Sequence, residues 1–250
     1  LCHGLRFIWG EMKENAARGM DPGHAIDLVA DALHTLKGKV AEMEVHLVGH
    51  SAGSFVNGHL MDALSKRKLP VHSLTLYAPA CSLAFAEEQF MHAVQKKRLA
   101  KDAFWLHVLS DKRERDDTVG PYSKSLLYLV SRGFESQRKT PLAGLEHCLD
   151  TQADNPDDDL WTQDDYPRVL AWREFVSKLP PQADGLPAAE ITNEDKVPVK
   201  INPDGSVDKM IDSAHGSFDN DVKVVTRTIN RILGRNPMAA LDVTVSDLDY

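Results

Sequence analysis

No stretch of this chain is apolar for the ~18 residues that a bilayer crossing needs, and no basic-then-apolar layout of a signal peptide stands at its start. Cysteine is scarce. Cys2, Cys81 and Cys148 are odd in number and widely spaced, which fits neither a disulfide framework nor a zinc pattern, so a reducing, cytoplasmic setting is expected. With a formal charge of −8 and no basic stripe, the chain lacks what a general nucleic-acid binder needs to neutralise phosphates. The basic clusters Lys66-Arg67-Lys68 and Lys96-Lys97-Arg98 fall near the ends of predicted helices, where they read as solvated charges favoured by the helix dipole. The eleven histidines show no H-E-x-x-H spacing, and the Asp-rich stretch lacks the Ca²⁺-loop periodicity. There is no phosphate-cradling glycine loop, so neither a metal nor a cofactor is expected. Internal repeats and low-complexity tracts are also missing.

What is present is a chain of 250 residues, 42% hydrophobic, enough for one sizeable core, and residues 1–250 read as a single domain. Asp21-Pro22 opens a predicted helix over 22–42, striped by Ile26, Val29, Ala30, Leu33 and Leu36. Val45 to Val48 is β-branched-rich and short, as a buried strand is. Helical spacing follows over 54–66, then a strand over 71–78, a helix over 84–99 and a strand over 104–109. A polar loop spans 110–120 and a helix 122–134. Strands alternating with helices predict an α/β fold, a mostly parallel sheet with helices on both faces. The pattern then breaks into an acidic surface loop over 146–165, a helix over 167–179 and a proline-punctuated linker over 180–198. Segments 197–201 and 207–211 flank Asn202-Pro203-Asp204-Gly205-Ser206 and predict a hairpin; a helix over 218–233 comes last. Residues 145–200 read as an acidic insertion before the last strand, either a lid or a surface segment packed by Trp161, Trp172 and Phe175.

Gly49-His50-Ser51-Ala52-Gly53 stands at the junction of the first predicted strand and the helix after it. It fits G-x-S-x-G, in which a serine is held on a sharp strand-to-helix turn with its hydroxyl in the open. A Cβ at either glycine is expected to clash in so tight a turn. A serine hydroxyl is a weak nucleophile until a base takes its proton, and that base needs an orienting partner. On a sheet-borne elbow the partners follow in the order Ser, acid, His. Of the later histidines, His147 lies in an apolar stretch and reads as structural, whereas His215, in Ser213-Ala214-His215-Gly216-Ser217, lies on a loop after a predicted strand and is the candidate base. The candidate acid is Asp116, because Asp116-Asp117-Thr118-Val119 leads straight into the next helix; Asp111 and Asp117 are the alternatives.

With these residues in place the chain resembles the α/β-hydrolase superfamily, in particular its serine esterase and lipase-like members. Leu47-Val48-Gly49-His50-Ser51-Ala52-Gly53 matches the elbow, Asp116-Asp117-Thr118-Val119 the acid loop and Ala214-His215-Gly216-Ser217-Phe218 the histidine loop. Leu74-Thr75-Leu76-Tyr77-Ala78-Pro79-Ala80-Cys81 is similar to a poorly characterised bacterial branch. The resemblance implies Ser51 as nucleophile, His215 as general base and then acid, Asp116 as orienting carboxylate and the Ala52 N–H as an oxyanion donor. The substrate it implies is a small-molecule ester or related acyl compound, with acyl transfer and peptide cleavage sharing the same chemistry. The superfamily usually places four strands before the elbow strand; here residues 1–44 precede it, and Leu5 to Trp9 offers one at most. His3-Gly4 is similar to the family's oxyanion dipeptide but lacks a strand to present it. An N-terminally shortened chain, a second donor from elsewhere, or a catalytically inactive interaction module of the same fold would each account for this.

Overall fold

Four short strands run parallel because each of the first three is followed by helix that carries the chain back to the edge where it started. In the computed structural model, which describes residues 2–118, 125–149, 160–183, 185–202, 204–237 and 239, these are β1 (His46–His50), β2 (Ser73–Tyr77), β3 (Phe104–Leu109) and β4 (Ala189–Thr192), in spatial order β1-β2-β3-β4. The register pairs Leu47 with Leu74, Leu76 with Leu106 and Val108 with Ile191. Helices α1 (Cys2–Arg18), α2 (Ala25–Lys37) and α3 (Gly53–Lys66) flank the first strand in sequence. After β2, α4 (Leu83–Ala86), a π turn (Glu87–Met91) and α5 (His92–Gln95) form one helical stretch. Then come α6 (Asp111–Asp116), α7 (Leu126–Leu129), α8 (Tyr166–Ser177) and α9 (Val222–Ile232). An antiparallel hairpin, β5 (Lys196–Ile201) with β6 (Val207–Asp212), stands apart from the main sheet as its own pair, as its turn residues predict.

Both faces of the sheet are covered. On one, Leu74, Leu76, Phe104 and Leu106 are fully buried, and Phe104 packs on Phe90, Trp172 and Phe175. On the other, the Tyr77 hydroxyl donates to Thr228 at 2.6 Å, and the Arg231 guanidinium lies 5.0 Å over the Trp105 ring. His107, also on this face, is buried and kept neutral: desolvation first, then Arg231 and Arg227, hold its pKa far below the usual imidazole range. No helix among the described residues is long and apolar enough to cross a membrane.

Four expectations give way here. Leu5 to Trp9 is not a strand but part of α1, where Glu11, Met12, Lys13, Glu14, Ala16 and Ala17 make a strongly helix-favouring continuation. Trp9 anchors that helix by donating its indole N–H to Glu135 at 2.6 Å. The helix predicted from residue 22 begins at Ala25, because Gly23 takes a left-handed φ of +79° in the turn that precedes it. The polar loop 110–120 starts as helix: Ser110 caps α6 by accepting the Arg113 N–H at 3.3 Å. The linker 180–198 contains β4, the last strand of the parallel sheet. Before it in the chain, α8 seats Val169 and Trp172 fully in the core, with the Phe175 ring 5.5 Å from that of Trp172. Residues 150–159 of the acidic stretch, 119–120 of the polar loop and 122–124 of the predicted helix over 122–134 lie outside the described residues.

Candidate active site

β1 ends at His50, and the next residue leaves the strand through a backbone conformation that side-chain-bearing residues avoid. Ser51 has φ +53°, at a cost of roughly 1–2 kcal/mol. Three hydrogen bonds to its carbonyl hold it there: from the Ser54 hydroxyl at 2.7 Å, the Ala80 N–H at 3.1 Å and the Ser54 N–H at 3.2 Å. Its own N–H donates to Tyr77 O at 2.9 Å, one step beyond the β1–β2 ladder. Strain that neighbouring structure maintains in this way is common where a side chain must be presented at a fixed angle. α3 starts immediately, with Ala52 as its N-cap, and among the described residues the Ala52 N–H donates to no backbone carbonyl.

The two glycines of the turn are not equivalent. A Cβ on Gly49 would overlap the amide of the buried Asn57 and come within 3.2 Å of Gly53 O, whereas a Cβ on Gly53 meets nothing within 4 Å. The expectation that both positions exclude a side chain therefore holds only for Gly49. Gly49→Ala is expected to destabilise the fold by about 1–3 kcal/mol, with partial recovery when Asn57→Ala is added, while Gly53→Ala shifts Tm little. Thermal melts of the three variants check this.

His215 opens a 3₁₀ turn, His215–Ser217, after β6. Its Nε2 lies 2.8 Å from Ser51 Oγ. The backbone of the same residue is tied on both sides: its N–H donates to Asp117 Oδ2 at 2.8 Å, and its carbonyl accepts from His50 Nε2 at 2.7 Å. The His50 and His215 rings stand 5.2 Å apart, and His50 Nδ1 is 3.8 Å from the exposed Asp219 carboxylate. Burial, and secondarily His50, push the His215 pKa down to about 3, so the imidazole is neutral at ordinary pH. Among the described residues its Nδ1 has no hydrogen-bond partner.

Of the three aspartates read as candidate acids, Asp117 is the one bonded to the histidine loop. Asp116, the preferred residue, is exposed and pairs with Arg113. The reason is the end of α6. Asp116 is its last helical residue and faces Arg113 one turn back, while Asp117 leaves the helix with extended φ −77° and ψ 119° and turns toward His215. Asp111 belongs to a separate cluster. It meets His147 Nε2 at 2.9 Å, Arg115 Nε at 2.7 Å and the Tyr128 hydroxyl. His147 itself is buried, consistent with its structural reading. His3-Gly4 lies in α1 rather than on a loop after a strand, and no strand precedes β1 among the described residues. The residues that sequence reasoning passed over are His50 and Ser54. His50 carried a signal, the variable position of the elbow; Ser54 carried none beyond its place in the first turn of α3.

Under the acid loop, Glu114 is fully buried and bonded by the Ser125 hydroxyl, and burial pushes its pKa up to about 8. Folding therefore favours its protonated form, and its contribution to stability fades as pH rises from about 4.5 through about 8. Glu114→Gln, which keeps the neutral shape, should flatten the loss of stability over this window in denaturant titrations at pH 5, 7 and 9.

No group of three or more His, Cys, Asp or Glu side chains able to hold a metal ion occurs among the described residues. Compared with models of known protein families, with curated proteins and with solved structures, the chain matches none, so its chemistry is read from its own geometry.

Proposed function

We propose that this chain is a serine hydrolase of α/β-hydrolase type that cleaves an ester or related acyl bond through an acyl-enzyme intermediate. One observation carries the reading: a strained, backbone-clamped Ser51 whose hydroxyl lies 2.8 Å from the Nε2 of a buried, neutral imidazole. That pairing is what turns a hydroxyl into a nucleophile. In the proposed cycle Ser51 Oγ attacks the acyl carbon while His215 Nε2 takes its proton. The Ala52 N–H, at the positive end of α3, donates to the developing oxyanion. His215 then returns the proton to the leaving alcohol, and water repeats the sequence on the acyl-serine. Asp117 replaces Asp116 as the orienting carboxylate: one of its oxygens accepts the His215 backbone N–H, which ties it to the loop that carries the base, and the ring's Nδ1 is the atom left without a partner among the described residues.

Hydrolysis of short-chain nitrophenyl esters tests this, read as a pH profile. A general base works only unprotonated, so activity should be full above the His215 pKa and fall as pH drops through it. With that pKa held down to about 3, half-maximal kcat/KM is expected well below the ordinary imidazole value of ~6.5. An acid limb near 6.5 would mean that the working imidazole is solvated. No turnover with any acyl length would remove the hydrolase reading.

A non-catalytic interaction module of the same architecture is favoured by one feature: no loop after an earlier strand offers Ser51 a second N–H among the described residues. In that case the Ser51–His215 contact would persist without covalent reactivity, an outcome that active-site labelling distinguishes.

A further inference from the structure

The two basic tripeptides come together in space. α3 and the α4–α5 stretch each follow a strand of a parallel sheet, so both run back to the edge where the strands begin, and their ends flank one cleft of about 730 Å³. That is the size of a small-molecule site. Its floor is apolar, with Met61, Leu69, Val71 and Ala93 all buried. Lys68, Lys96, Lys97 and Arg98 line it as well, on a chain whose net charge is −8.

Charge pairing accounts for only one of these cations, Arg98. Of the two carboxylates in the cleft, Asp62 lies 3.0 Å from Lys66 and 3.7 Å from Arg98, and Glu88 comes within ion-pair reach of no cation among the described residues. Among the described residues no carboxylate comes within ion-pair reach of Lys68, Lys96 or Lys97. Backbone conformation adds a second, independent observation. Lys68 and Lys97 have φ +57° and +56°, each just past a helix end. A left-handed residue there is ordinarily glycine, which adopts it without strain. This chain places lysine at both positions, and both line the same cleft.

We propose that the cleft binds an amphipathic anion, a molecule with an apolar body and a phosphate or carboxylate head. The body lies on the Met61–Val71 floor and the head among Lys68, Lys96 and Lys97. The segment 69–71 precedes β2 while Ser51 follows β1, and the two strands are parallel neighbours. The cleft is therefore at the opposite end of the sheet from Ser51. The proposal does not depend on the hydrolase reading.

The test is an NMR titration of the full chain with octyl phosphate and octanoate, following the Met61, Val71 and Ala93 methyl groups. Inorganic phosphate and octanol serve as probes of each half. Saturable shifts are expected with the two amphiphiles, weakening as salt is added, and at least tenfold weaker binding with either half alone. The phosphate and carboxylate arms identify the preferred head. The informative variant is Lys68→Gly with Lys97→Gly. Glycine relieves both left-handed conformations, so Tm should rise while affinity falls about tenfold, roughly threefold per lysine. A rise in Tm excludes misfolding as the cause of lost binding. The same titration of Ser51→Ala should be unchanged. The proposal is overturned if millimolar octyl phosphate produces no shifts, if octanol binds as tightly as octyl phosphate, or if the double variant binds as well as the parent. Binding of polyglutamate without binding of either amphiphile would also overturn it, assigning the lysines to an acidic protein segment.

Discussion

Replacing Ser51 by alanine is expected to abolish labelling by a fluorophosphonate probe and to lower ester turnover by about 10⁴–10⁶-fold, the scale on which removal of a nucleophile acts where a triad works as a unit. The probe reports activation directly, because phosphonylation requires the same deprotonated hydroxyl as acylation. Alanine keeps the left-handed backbone and its strain, so the fold should be affected little. Glycine separates the two roles of this position. At φ +53° a residue without Cβ escapes the steric penalty, and Ser51→Gly should be equally inactive yet more stable by about 1 kcal/mol. A rise in Tm confined to the glycine variant, with reactivity absent from both, would tie the strained turn to presentation of the hydroxyl. Labelling that persists in Ser51→Ala, or never appears in the parent chain, would leave Ser51 and His215 as a structural hydrogen bond.

How much of this was legible in advance follows from where burial is complete. β2 and β3 are central and almost wholly buried, so Leu74 to Tyr77 and Phe104 to Leu109 are apolar runs that can be read directly. β4 is an edge strand of Ala189, Glu190, Ile191 and Thr192, partly exposed throughout. Much of what fixes it is long-range. Glu190 accepts from Arg227 at 2.5 Å and from Arg231 at 2.9 Å, two residues of α9 that no local pattern connects with it. Leu5 to Trp9 misleads for the converse reason, since a short apolar cluster looks alike in either element and only the residues after it decide. Ser51 and His215 could be paired in advance because chain order along a sheet-borne elbow is a topological constraint. Gly53 shows the limit of such a motif: its glycine fits the pattern, yet the space around it is open in this chain. Which aspartate bonds the histidine loop was out of reach, because two adjacent aspartates differ only in which side of a helix end they fall.

That one-residue difference gives the second large expected effect. Asp117→Asn should lower kcat/KM by about 10³–10⁴, the scale seen where an orienting carboxylate is made neutral, because an imidazole without its anion adopts the wrong tautomer and loses stabilisation as it gains a proton. The asparagine retains an oxygen able to accept the His215 N–H, so the loop should remain in place and Tm should change by only a few degrees. Asp116→Asn removes an exposed pair with Arg113, worth at most about 1 kcal/mol. Arg113 also lies 3.0 Å from Asp195, so its guanidinium keeps a partner. Activity in Asp116→Asn should stay within about threefold of the parent on that ground. The two variants carry the same formal charge change at neighbouring positions, which removes net charge and general field effects from the comparison. What differs is direction: the carboxylate at 116 faces outward across its own helix, and the one at 117 faces the histidine loop. Loss of activity in Asp116→Asn with Asp117→Asn unaffected would reverse the assignment. Loss in neither would mean that His215 acts without a carboxylate behind it, the buried ring being held in its working orientation by the backbone bonds to Asp117 and His50 alone.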